Sequence, residues 1–191
     1  MIDSGWWRQL SHPWKQAFAE TFFNHNNEPT PEELARLFAS PALRLAGPKA
    51  PFANMSFMLN DLSGLRQLTN LRVLVANYHE LEKIDELEAL TQIKALYLIG
   101  NRINSLRGLE GLIHLEQLYL QFNEIESIRE VKKLINLREL YVHDNHLSSL
   151  EGLTEEHSEK LNVLVCKPNE RLKQKEIMRV EKELYIRCRG L

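Results

Sequence analysis

The sequence predicts an α/β solenoid in which short parallel strands line a concave face, with a helical N-terminal cap ahead of the stack and a closing helix behind it. Three observations predict it. Apolar residues recur in the units Leu71-x-x-Leu74, Ile93-x-x-Leu96-x-Leu98, Leu115-x-x-Leu118-x-Leu120 and Leu137-x-x-Leu140-x-Val142, whose first residues are 22 apart. One position of the later units is always asparagine: Asn101, Asn123, Asn145 and Asn169. Outside the repeats, both ends carry helical patterns. A fixed period in this range describes units too small to bury their own apolar side, stable only when stacked on neighbours.

The elements follow in chain order. Residues 1–48 are expected to form the cap, because an open stack exposes core and strand edges at its ends. Pro13 is followed by Trp14, Phe18 and Phe22 at i, i+4 and i+8, an aromatic helical face. Thr30-Pro31-Glu32-Glu33 combines a cap residue, a first-turn proline and a glutamate at the third position ahead of Leu34, Leu37 and Phe38. Pro48 and Pro51 mark the junction with the solenoid, assigned to residues 49–169 in about five to six rungs. Counting back one period aligns Phe52 with Leu74 and Leu59, Leu62, Leu65 and Leu68 with Leu81, Ile84, Leu87 and Leu90, a degenerate first rung.

Within a rung, the alternation Leu96-x-Leu98 has the period of a short strand with one buried side. The later apolar residues, such as Leu106, Leu109 and Leu112, come every third position, which suits a 3₁₀-like turn on the convex side. The last unit, Leu161-x-x-Leu164-x-Cys166-x-x-Asn169, begins 24 residues after Leu137. Its extra length falls in polar residues 154–158, expected to bulge from the convex side and leave the core intact. Residues 170–191 are assigned to the closing helix, with Leu172, Ile177, Val180 and Leu184 on one face.

The L-x-x-L-x-L-x-x-N-x-I pattern resembles the leucine-rich repeat, in the 22-residue class of the internalins and of a regulatory subunit of protein phosphatase 1, over about two-thirds of the chain. The resemblance implies that the asparagines form a ladder between rungs, and an inward Asn side chain has the donors and acceptor to satisfy backbone where a strand ends. Phe57 and His79 stand where the pattern expects asparagine in the first two rungs, which leaves their local backbone open.

The 191 residues are 43% apolar and 26% charged with net charge −2, an ordinary globular composition with no electrostatic case for a polyanionic partner. The excess of Lys and Arg in residues 167–189 reads as a solvated face, since no aromatic series accompanies it. Met1-Ile2-Asp3-Ser4-Gly5-Trp6-Trp7 lacks the pattern of a signal peptide, and a cytoplasmic location is expected. Cys166 shares the inward column of Leu98, Leu120 and Val142, while Cys188 falls near the end of the closing helix; free thiols are expected, with a bond between them left open.

Catalysis finds little support. Phosphate-loop, nucleophile-elbow and zinc-helix motifs are missing, and Gly64, Gly108 and Gly152 recur at one repeat position as turn residues. His143-Asp144-Asn145-His146 invites a metal or proton-transfer reading, but the ladder position of Asn145 puts the two histidines on either side of a rung end. No catalytic residue, metal or cofactor is assigned.

The informative surface is the concave one. Residues alternating with the inward leucines give the column Val75, Tyr97, Tyr119, Tyr141 and Val165, flanked by Gln117 and Glu139 on one side and by Asn77, Ile99, Gln121, His143 and Lys167 on the other. Tyr78, Gly100, Phe122, Asp144 and Pro168 follow. The candidate binding residues are Tyr97, Tyr119, Tyr141, Phe122, Tyr78, Ile99, Gln121, His143 and Asp144. Tyrosines supply large contact area at low entropy cost, although rings one rung apart can also simply cover the sheet. The expected function is a monomeric, non-catalytic protein-interaction module whose partner is a protein and neither nucleic acid nor membrane. A regulatory subunit docking on an enzyme such as a phosphatase, or a metal-dependent enzyme, are the alternatives.

Overall fold

The computed structural model describes residues 4–190. Met1–Asp3, part of the opening stretch considered for a signal, and Leu191, the last residue of the closing segment, lie outside the described residues. Three helices, α1 (Ser4–Gln9), α2 (His12–Phe18) and α3 (Pro31–Ala39), precede a seven-stranded parallel sheet in sequential order. Its strands are β1 (Ala42–Ala46), β2 (Val73–Asn77), β3 (Ala95–Tyr97), β4 (Gln117–Tyr119), β5 (Glu139–Tyr141), β6 (Val163–Lys167) and β7 (Cys188–Gly190), with α4 (Gln174–Glu183) between the last two.

The repeat register is the one the spacing gives. Leu74, Leu96, Leu118, Leu140 and Leu164 are opposite one another on successive strands, as are Val75, Tyr97, Tyr119, Tyr141 and Val165. The first column is wholly buried, continuous with Ile84, Leu106, Ile128 and Leu150 on the convex side. Each such side chain contributes about 1.5–3 kcal/mol of burial, but only once its neighbours are in place.

The asparagine ladder closes the strand ends. Asn123 donates from Nδ2 to Leu98 O and Leu120 O, both at 2.9 Å, and accepts from Ile103 N at 3.0 Å. Asn145 and Asn169 repeat the scheme one rung and two rungs on. His79 takes the same place in the second rung. Its ring is buried, Nε2 donates to Leu45 O at 3.2 Å and Nδ1 accepts from Leu59 N at 3.1 Å. A carbonyl can only accept and an amide N–H only donate, so these partners fix the neutral Nε2–H tautomer. Burial accordingly pushes the pKa of His79 down.

Several expectations need correction. Phe52 does not align with Leu74: Leu43 and Leu45 of β1 pair with Leu74 and Ala76, and Phe52 is 82% exposed. The sheet thus begins inside the segment assigned to the cap, because Ala42–Ala46 already alternates inward leucines with outward residues. Phe57 is not the ladder residue of this rung either. Asn54 folds back over the free edge of β1, where its Oδ1 accepts from Ala46 N at 2.7 Å and its Nδ2 donates to Arg44 O at 2.8 Å. That contact covers backbone groups an edge strand leaves unpaired.

The cap is docked by aromatic packing. Trp14 and Phe18 are wholly buried, and Trp14 Nε1 donates to Asp61 Oδ1 at 2.9 Å. Gly64 lies directly under the indole, so any Cβ there would collide with the ring. α3 has the capping box its sequence implies, Glu33 N donating to Thr30 Oγ1 at 3.2 Å and Thr30 N to Glu33 Oε2 at 2.9 Å.

At the other end the insertion at 154–158 is not merely a polar bulge. Its short 3₁₀ turn buries His157 completely, Nε2 donating to Val131 O at 3.2 Å and Nδ1 accepting from Thr154 N at 3.1 Å. The closing helix is shorter than the 170–191 assigned to it, and Cys188 lies past it on β7, opposite Leu164. Both cysteines are free and buried. Glu181 of α4 accepts from Cys188 N at 3.1 Å, tying the helix to the strand it precedes.

Candidate protein-binding surface

Side chains at alternate positions of β3, β4 and β5 leave the sheet on its concave side, and parallel in-register pairing sets them one rung apart. Tyr97, Tyr119 and Tyr141 therefore stack. Ring centroids are 4.5 Å apart in both pairs, with interplanar angles of 21° and 10°. The rings are half-buried rather than open to solvent along one side, as the outward column implied.

Their hydroxyls form a relay. Tyr97 Oη donates to Gln117 Oε1 at 3.1 Å, Gln117 Nε2 donates to Glu139 Oε1 at 3.2 Å, and Tyr119 Oη donates to Glu139 Oε2. Each acceptor stands 20 residues beyond its tyrosine. One rung further on the position is Val163, opposite Glu139 on β6, and Tyr141 Oη has no hydrogen-bond partner among the described residues. Burial, then the hydrogen bond to Glu139, push the pKa of Tyr119 up, so its proton stays on the phenol.

The far rim is built from backbone in the left-handed region. Tyr78, Gly100, Phe122 and Asp144 have φ of 59°, 69°, 61° and 52°, one per rung, as the chain turns from strand end to ladder residue. Glycine suits such a place and Asn or Asp tolerate it, whereas Phe and Tyr carry a steric cost of roughly 1–2 kcal/mol. The Tyr78 ring packs over Gly100. Phe122 packs edge-on against His143, with ring centroids 5.4 Å apart, yet remains 48% exposed.

The remaining candidates fall between row and rim. Ile99 and Gln121 are half-buried, and Gln121 Oε1 is shut from solvent with no donor among the described residues. His143 is only 3% exposed, and its Nδ1 meets Asp144 Oδ2 at 2.7 Å. The other histidine of that cluster, His146, is exposed, so the two occupy different environments. Among the described residues no group of three His, Cys, Asp or Glu is arranged to hold a metal ion. On the near rim Glu116 lies between Lys94 and Arg138, at 3.4 and 3.3 Å.

The structure thus brings Tyr97, Tyr119, Tyr141, Phe122, Gln121, His143 and Asp144 to one face, with Tyr78 and Ile99 toward its N-terminal side. Gln117 and Glu139 were in view as flanking residues but not as members of the site. The signal that finds them is the 20-residue offset from a concave Tyr to a polar residue one rung on.

An open stack of in-register parallel rungs with an Asn ladder defines a leucine-rich repeat solenoid. The fold is that of a leucine-rich repeat protein and resembles the internalins. Residues 113–155 match the family model for two copies of leucine-rich repeats. No curated protein matches the chain. Among solved structures, the internalin inlF of Listeria monocytogenes is 22% identical with a TM-score of 0.64, over 84% of this chain and 45% of that one. A leucine-rich repeat protein of Leptospira interrogans is also 22% identical with a TM-score of 0.64, over 85% of this chain and 40% of that one. Internalin C2 of Listeria monocytogenes is 16% identical with a TM-score of 0.55, over 94% of this chain and 92% of that one. The chain spans less than half the length of the first two. Leucine-rich repeat proteins in general mediate protein–protein interaction, and no helix among the described residues is long and apolar enough to cross a membrane.

Proposed function

We propose that this chain is a non-catalytic protein-interaction module that engages its partner on the concave face around Tyr97, Tyr119 and Tyr141. The observation that carries the reading is a row of three stacked tyrosines on an uncovered sheet, with the half-exposed Phe122 on the rim beside it packed against His143. Rung stability alone does not account for Phe122, which sits in a backbone conformation that disfavours it and buries only about half of itself. Seven strands about 4.8 Å apart give a face roughly 29 Å long, enough for a footprint of about 800 Å². The carboxylates of Glu139 and Asp144 on this face favour a protein over a nucleic acid, whose phosphates they repel. A regulatory subunit docking on an enzyme is a narrower form of the same reading.

Affinity capture from the source cells tests it. Replacing Tyr119 or Tyr141 with Ala should weaken capture of the copurifying protein by about 30-fold, the loss expected for a hot-spot aromatic near 2 kcal/mol. Gln92→Ala and Lys133→Ala, on the convex side, should leave capture intact. Undiminished capture after loss of all three tyrosines sinks the proposal.

A further inference from the structure

The concave face carries a charge pattern that narrows the partner's chemistry. At its centre the concave face carries two carboxylates, Glu139 on β5 and Asp144 in the turn beyond; a third, Glu116 on the near rim just ahead of β4, is neutralised from both sides by Lys94 and Arg138, and the cations of the outward columns, Arg44, Lys167 and Arg189, lie toward the two ends of the sheet. Glu139 accepts from the Tyr119 hydroxyl and the Gln117 amide, and Asp144 meets the His143 imidazole. Neither forms an ion pair with a Lys or Arg among the described residues; Lys167, one rung beyond His143 in its column, does not close on Asp144.

One further group on the same face points the same way. His143 is almost wholly buried, and in the tautomer whose Nδ1–H donates to Asp144 its Nε2 is an acceptor without a partner among the described residues. Three acceptor groups, two of them carboxylates, surround Tyr119, Tyr141 and Phe122, and none of the three meets a Lys or Arg side chain.

We infer that the concave face recognises a basic segment of a partner protein, in which Lys or Arg side chains pair with Glu139 and Asp144 while apolar groups lie on the tyrosine row and Phe122. This inference rests on the interaction reading above and adds the sign of the partner's charge. The two carboxylates are five positions apart along the chain, at most about 17 Å at extended spacing. An extended segment with basic residues up to four or five positions apart can reach both.

The test uses the full chain and fluorescence anisotropy. The probes are a fluorescein-labelled peptide of alternating arginine and serine and matched peptides carrying glutamate, or serine throughout. The variant E139Q/D144N removes both charges yet keeps an acceptor for Tyr119 and for His143, and Asn tolerates the left-handed backbone at 144. Glu88→Gln with Glu155→Gln, on convex 3₁₀ turns, is the charge-matched control. The arginine peptide should bind, and lose affinity by about 10-fold or more in E139Q/D144N but not in the control pair. Absence of binding, equal binding of the glutamate peptide, or an undiminished affinity in E139Q/D144N overturns the inference. If native capture nevertheless still depends on Tyr119, only the charge assignment falls. If capture also survives loss of the tyrosines, the concave-face reading falls with it.

Discussion

Replacing Asn123 with Ala removes the centre of the ladder, and its cost can be worked from individual bonds. Asn123 donates to Leu98 O and Leu120 O and accepts from Ile103 N, all buried. The two carbonyls keep a second partner after the change, because Leu98 O also receives Asn101 Nδ2 and Leu120 O also receives Asn145 Nδ2. Ile103 N–H keeps none. One fully orphaned buried donor costs about 1–3 kcal/mol, and two lost but partly compensated bonds add roughly 1 kcal/mol, for a total near 2–4 kcal/mol. Asn77, half-buried and accepting only from Ile99 N at 2.9 Å, should cost about 1 kcal/mol or less when changed to Ala. Urea unfolding reads both as midpoint shifts at unchanged slope. Equal small shifts at the two positions would show that the ladder does not hold the rungs together.

Stability should fall as the pH drops below about 6.5, because His79 and His157 are buried neutral and have lowered pKa values in the folded state. Their contribution is complete above the unfolded pKa and is lost as pH falls toward the folded one; His79→Asn, which restores a ladder residue, should reduce that slope in melting temperatures measured between pH 7.5 and 5, and an unchanged slope refutes the assignment. Gly152→Ala should destabilise by about 2–4 kcal/mol, since φ is 125° and a Cβ would strike Ile128 O, whereas at Gly111 a Cβ would meet only Glu88 O at an ordinary 3.8 Å, so Gly111→Ala should change the unfolding midpoint little. Ending the chain after Cys166 removes α4 and β7, bares Leu164 and Cys166 and opens the edge of β6, so light scattering should find aggregates; a monomer with unchanged unfolding would make the closing segment an appendage.

Periodicity made most of this molecule legible from sequence. In a solenoid each rung copies its neighbour, so a 22-residue spacing fixes strand register, the buried leucine columns and the Asn ladder together. The concave columns follow from the same phase, which is why Tyr97, Tyr119 and Tyr141 line up from sequence alone. What periodicity could not give lies where the period breaks. β1 is 31 residues ahead of β2, Leu43 to Leu74, so counting back one period lands on Phe52 in the intervening loop. β7 follows a helix and has no repeat to announce it. His79 and His157 do their work through ring nitrogens whose partners, Leu45, Leu59 and Val131, are 20 to 34 residues away and are brought within reach only by stacking. The charge state of the face was equally hidden. Whether Glu116 or Glu139 keeps a free charge depends on which side chains meet across neighbouring rungs, and distances between rungs exist only in the folded stack.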